Sequence, residues 1–148
     1  MLLNLKLLIS MIGKNNPFNI RYSSLNNWLG LTGQTKGFCD FQSLDYCVRA
    51  VSILVLRSYR KKDILTISEI INRYAPKSEN KTDNYISFVC SRLGCFPFDI
   101  PDSIGAYARL LESMSIFEGN RVNQKFILDV INACKIKPYG KVSSKYSK

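Results

Sequence analysis

The sequence predicts one mainly α domain of about six helices around a central buried helix, with a small β-hairpin near the N-terminus. Three observations carry that expectation. The stretch Ala50-Val51-Ser52-Ile53-Leu54-Val55-Leu56 is apolar nearly all round, and a helix without a polar face is stable only inside a core. Capping residues recur ahead of apolar segments of helical period: Ser43, Thr66 with Glu69 three residues on, Thr82, and Asp102 or Ser103, each able to satisfy the free N–H groups of a first turn. Two short apolar runs flank Gly33-Gln34-Thr35-Lys36-Gly37, where glycine supplies the positive φ of a hairpin turn. A chain of 148 residues, 46% hydrophobic and 22% charged, needs only one core.

In chain order, Met1 to Ile12 is read as a first helix. Lys6 cuts the apolar run there too short for a signal segment or a membrane span. Gly13 and Asn15-Asn16-Pro17 break the pattern and open a loop reaching Trp28. The hairpin occupies Leu29 to Phe41, and Ser43 caps the central helix, Leu44 to about Arg60. Thr66 to Glu69 is a capping box opening a helix to Tyr74, beyond which Pro76 prevents continuation. Thr82 is expected to cap a helix through Arg92 that stops at Gly94. Pro97 to Pro101 reads as a linker, and a further helix runs from Asp102 or Ser103 to about Phe117. The last, Val122 to Cys134, is expected to bury Phe126, Ile127, Val130 and Ile131 on one face. Residues 1–134 thus form the domain. Residues 135–148, with five lysines and no acid, read as a basic flexible tail.

Charge and residue usage narrow the function. The balance of 21 Lys+Arg against 11 Asp+Glu gives a net charge of +10, which concentrates polyanions such as nucleic acid, anionic cell wall or anionic membrane. Nucleic acid is the weakest of these, because no basic helix with spaced base-reading residues, zinc motif or aromatic strand platform is present. Five cysteines with no C-x-x-C spacing argue against a disulfide framework. The chain has no histidine, which excludes Ser-His and Cys-His nucleophile pairs and the commonest zinc ligand. No metal or other cofactor is expected, and carboxylates are left to move any proton.

The block Asn15-Asn16-Pro17-Phe18-Asn19-Ile20-Arg21, then Asn27-Trp28-Leu29-Gly30, then Gly37-Phe38-Cys39-Asp40-Phe41 with Ser43, Arg49 and Ala50, resembles the phage virion-associated lysozyme-like family. Members carry N-N-P-x-N-I-R, W-x-G, G-F-x-x-F and R-A in that order. The block is also similar to the hairpin region of flagellar and autolysin-type glucosaminidases. The resemblance continues through Thr66 to Ile70, Ala75-Pro76, Glu79-Asn80, Thr82 and Tyr85-Ile86, and so spans about Asn15 to Gly94.

This resemblance implies a lysozyme-like fold (α+β, mainly α) with a β-1,4-linked glycan held between hairpin and helices. It implies peptidoglycan glycan strands as partner, with a virion or secretion partner besides, in a protein of phage, prophage or antibacterial origin. Such a protein would be made in the bacterial cytoplasm without a clear signal peptide and act at the cell wall, in the periplasm or within a virion. Muramidase, glucosaminidase and lytic transglycosylase are the implied activities; a non-catalytic virion or wall-binding module is the alternative. Trp28 and Tyr22 offer flat apolar faces to sugar C–H groups, while Asn16, Asn19, Arg21 and Asn27 offer polar groups for hydroxyls. Trp28 is equally suited to plug the core beneath the hairpin.

One departure stands out. Lysozyme-like enzymes carry their general acid, a glutamate, at the end of the helix before this loop, whereas the first carboxylate here is Asp40. Glu79, which matches an acidic position of the phage family, and Asp40, on the hairpin, are the candidate catalytic acids. Asp45 is a third, although an acid in a first helical turn ordinarily serves the helix dipole.

Overall fold

The computed structural model describes residues 11–75 and 79–140, the side chains of 79 and 80 excepted. The expected opening helix therefore falls mostly outside the described residues, and Met11 and Ile12 are irregular. The described chain is mainly helical with one small two-stranded antiparallel sheet.

Strands β1 (Leu31–Thr35) and β2 (Phe38–Phe41) pair with Thr35 opposite Phe38 and Gly33 opposite Asp40, after an irregularity between Leu31 and Gly33. Lys36 and Gly37 have φ of 51° and 85°, and two consecutive positive-φ residues form the tight turn whose twist matches a hairpin. The other edge of β2 is covered by the asparagine-rich loop. Phe41 N–H donates to Lys14 O at 2.8 Å, Cys39 N–H to Ile20 O at 2.9 Å, and Tyr22 N–H to Gly37 O at 2.8 Å. Neither edge of β2 is left open for another chain.

The central helix starts at α1 (Leu44–Ile53), passes without a break through a π-helical segment (Leu54–Ser58) and ends in a turn, Tyr59–Lys61. Val48, Val51, Val55 and Leu56 are fully buried, as the apolar sequence requires. Ser43 stands at the cap position, but its hydroxyl donates to the Asp45 carboxylate and makes no cap hydrogen bond. Helix α2 (Ile67–Tyr74) carries the predicted capping box: Glu69 N–H donates to Thr66 Oγ1 at 3.0 Å, and Thr66 N–H to Glu69 Oε1 at 2.9 Å. Thr66→Ala is expected to cost about 1 kcal/mol, or about 3 °C in Tm for a chain of this size, measurable by thermal denaturation.

Helix α3 spans Glu79–Leu93 and α4 spans Ile104–Phe117, the latter capped by Ser103, whose Oγ accepts from Ala106 N–H at 3.0 Å. Thr82 is not the cap of α3. The helix begins three residues earlier, and Thr82 lies on its buried face with Tyr85 and Val89, at the i, i+3 and i+7 spacing of one helical stripe.

Helix α5 (Gln124–Ala133) is capped by Asn123. It buries Ile127, Val130 and Ile131, but Phe126 is exposed, one position off the stripe. α4 packs on both α3 and α5, α2 on α3, and α5 on α1.

One acid ties three of these elements. Glu112, on the buried part of α4, meets Arg92 of α3 and Arg121 at 3.4 Å each, and accepts the Gln124 N–H at the start of α5 at 2.9 Å. Residues 135–140, expected within the tail, are held to the central helix. Ile136 is buried, Tyr139 N–H donates to Leu56 O at 2.8 Å, and the buried Arg60 donates through Nε to Tyr139 O at 2.6 Å. A buried guanidinium needs such partners, and its Nη1 donates to Tyr107 Oη at 3.1 Å.

Candidate active site

The Asn15 to Arg21 loop is shaped by its asparagines and its proline. Asn16-Pro17-Phe18-Asn19 closes a β-turn, Asn19 N–H donating to Asn16 O at 3.2 Å, with proline at the position whose fixed φ the turn wants. Asn15 and Asn19 both have a φ of 53°, a conformation asparagine tolerates better than most residues. Phe18 is completely buried beneath the turn.

Asn16 is completely buried as well. Its Nδ2 donates to Ile20 O and Cys39 O, each at 3.0 Å, and its Oδ1 accepts Ile20 N–H at 2.9 Å and the Cys47 thiol at 3.5 Å. With both donors and its acceptor engaged inside the protein, it is a strut between the loop, β2 and α1, and has nothing left to offer a ligand.

Asn19 points the other way, toward the end of α4. Its Nδ2 donates to Glu118 Oε1 at 2.9 Å and lies 3.4 Å from the Glu118 carbonyl oxygen. Glu118 occupies the C-cap of α4, where the negative end of the helix dipole disfavours a carboxylate. The Tyr85 hydroxyl, which donates to Met114 O at 3.4 Å, lies against the same carboxyl, and Arg21 and Lys81 act on it electrostatically.

Burial raises the Glu118 carboxyl above the ordinary glutamate range. The Asn19 hydrogen bond, the nearby Tyr85 hydroxyl and the two cations oppose the rise without cancelling it. Tyr74, whose hydroxyl donates to Phe18 O at 2.5 Å, and Tyr85 are pushed well above the usual tyrosine range, chiefly by burial. Both are neutral donors at any physiological pH.

Among the described residues three buried side-chain atoms lack a partner, and one of them is Asn19 Oδ1.

The other residues singled out from sequence distribute as follows. The Arg21 guanidinium lies 4.9 Å from the centroid of the Phe38 ring, and Asp40 is two residues along β2 on that same face. Asp40 itself is occupied: it accepts Lys14 N–H at 2.7 Å and the Thr35 hydroxyl at 2.9 Å. Tyr22 and Asn27 are exposed, while Trp28 is half-buried and packed against the core. Gly30, two residues after Trp28, has a φ of 79°, and a Cβ there would lie 2.2 Å from the Tyr46 ring. Asp45 lies exposed in the first turn of α1. Glu79 opens α3, and its side chain lies outside the described residues.

Glu118 is the residue that sequence reasoning passes over. Its signal is present in Ile116-Phe117-Glu118-Gly119: an acid placed where an apolar helix ends, at the pole that favours cations.

Among the described residues no group of three His, Cys, Asp or Glu side chains is placed to hold a metal ion, and no helix is long and apolar enough to cross a membrane. No family model matches the chain. Over 85 residues the chain is 36% identical to Protein P5 of Pseudoalteromonas phage PM2, in an alignment covering 54% of this chain and 52% of that protein. The chain thus spans about half the length of this relative, and what it is similar to is a phage protein.

Proposed function

We propose that this chain is a lysozyme-like protein of phage origin that grips peptidoglycan glycan strands and cleaves them with Glu118 as general acid. The observation that carries the reading is the Glu118 carboxyl, raised by burial and held by Asn19, the asparagine of the block that resembles lysozyme-like proteins. A carboxylic acid that keeps its proton above the ordinary range can deliver it to a glycosidic oxygen. The net charge of +10 suits an anionic wall, and the similarity to a phage protein supports the origin. The place of action is the cell wall or periplasm, reached as a virion component or after release from the cytoplasm.

The proposed step uses one acid. The bond between the anomeric carbon and the bridging oxygen breaks as that oxygen takes the Glu118 proton. A hydroxyl of the same sugar then attacks the anomeric carbon and returns its proton to the Glu118 carboxylate. Asp40, engaged by Lys14 and Thr35, is no free second carboxylate for the water-dependent routes, so the lytic transglycosylase chemistry is favoured over the muramidase and glucosaminidase ones.

Incubating purified sacculi with the protein and analysing the soluble fraction by mass spectrometry tests this. Fragments ending in an internally anhydrous sugar are expected. Sacculi that bind the protein and stay intact would instead favour the second reading, a virion or wall-binding module, which the half-buried packing of Trp28 and the engagement of Asp40 allow.

A further inference from the structure

Helix α3 ends in an arrangement that brings two thiols together. Gly94 follows the last helical residue with a φ of 64°, and Cys95 N–H donates back to Cys90 O at 3.1 Å. This is the reversal in which the second residue past the helix packs its side chain against the residue five positions earlier. Those two positions, ordinarily filled by hydrophobes, are Cys95 and Cys90, so the turn sets the two side chains beside each other.

Neither thiol is disulfide-bonded here. Cys90 is buried, its thiol pushed up to about 11 by burial and then by Cys95, so it is a poor first nucleophile. Cys95 is half-buried and lines a cavity of about 470 Å³ together with Ile67, Leu93, Phe98 and Arg109, which opens it to a small reagent.

We propose that Cys90 and Cys95 are a disulfide site that closes when the protein meets a low-molecular-weight disulfide, stapling the end of α3 to the loop that follows it. The Cys95 thiolate attacks one sulfur of the reagent, forming a mixed disulfide and expelling one thiolate. Cys90 then loses its proton, attacks the Cys95 sulfur and expels the second. Two protein thiols are oxidised to one S–S bond, and the reagent is reduced to two thiols.

The staple acts on a loop already held against α2, through Ser68 N–H to Pro97 O at 2.8 Å and Ile67 N–H to Asp99 O at 2.9 Å. That loop exposes Phe96 and Phe98 with near-parallel rings 5.5 Å apart. Closing the bond pins the base of this aromatic pair. Moving from a reducing cytoplasm to an oxidising compartment provides the trigger.

Trypsin cleaves after Arg92, between the two cysteines, so the bond is directly visible. The full native chain is incubated with oxidised glutathione, its free thiols are alkylated, and it is digested without reduction. The expected product is a cross-linked pair of peptides, Thr82 to Arg92 joined to Leu93 to Arg109, with a Tm about 5 °C above that of the reduced protein. Two results overturn the proposal: Cys95 recovered alkylated or only as its glutathione adduct, or cross-links confined to the exposed Cys134.

Discussion

Glu118→Gln is expected to raise the melting temperature at neutral pH while lowering glycan cleavage by about 10²–10⁴-fold, the usual contribution of a positioned acid. The two effects have one cause. Burial makes the charged form of Glu118 unfavourable in the folded protein, so its folded pKa lies above its unfolded one. Such a group favours folding most below its unfolded pKa, and that contribution is lost as pH rises through the folded pKa.

Glutamine presents a carbonyl oxygen to Asn19 Nδ2 but never ionises. The variant's advantage in Tm is therefore expected to appear as pH climbs past the Glu118 pKa and to vanish in acid. Over the same window the wild type loses cleavage rate, because the proton to be donated has gone. Thermal denaturation and sacculus digestion across the pH range measure both curves. A variant that cleaves like wild type would remove Glu118 from the chemistry.

Asn16→Ala is expected to destabilise the fold by about 3–5 kcal/mol, at the severe end for one substitution. It removes the partner of Ile20 N–H and the donors to Ile20 O and Cys39 O, and each buried polar group left unpaired costs about 1–3 kcal/mol. Asn16→Asp is expected to be no better, since it sets a carboxylate against two carbonyl oxygens. Urea denaturation gives the value directly. A loss of glycan affinity at unchanged stability would instead mark Asn16 as a ligand group, which its complete burial argues against.

The legible parts of the fold are those fixed by neighbours in sequence. The capping box at Thr66, the Ser103 cap, the turn at Lys36-Gly37 and the buried run through Leu56 all depend on residues within a helical turn or a hairpin of one another. The less legible parts depend on what a residue meets across the chain. Thr82 has the chemistry of a cap, but a stripe shared with Tyr85 and Val89 draws it into the helix and the core.

Asn16 and Asn19 look alike in sequence, three residues apart in one motif. A turn sends the first inward to β2 and the second across to α4. Glu118 lies 99 residues from Asn19, so no local pattern joins them. Residues 135–140 read as tail because they are basic, yet Ile136 and the Tyr139 backbone have partners on the central helix.

Burial beside Asn19 is expected to keep Glu118 protonated above the ordinary glutamate range. Carbon-detected NMR titration of the side-chain carboxyls tests it most directly: the chain has four glutamates, and the signal missing from Glu118→Gln identifies the one in question. A midpoint for Glu118 above the ordinary glutamate range and above the unfolded value is expected. A midpoint at or below the ordinary range would contradict it.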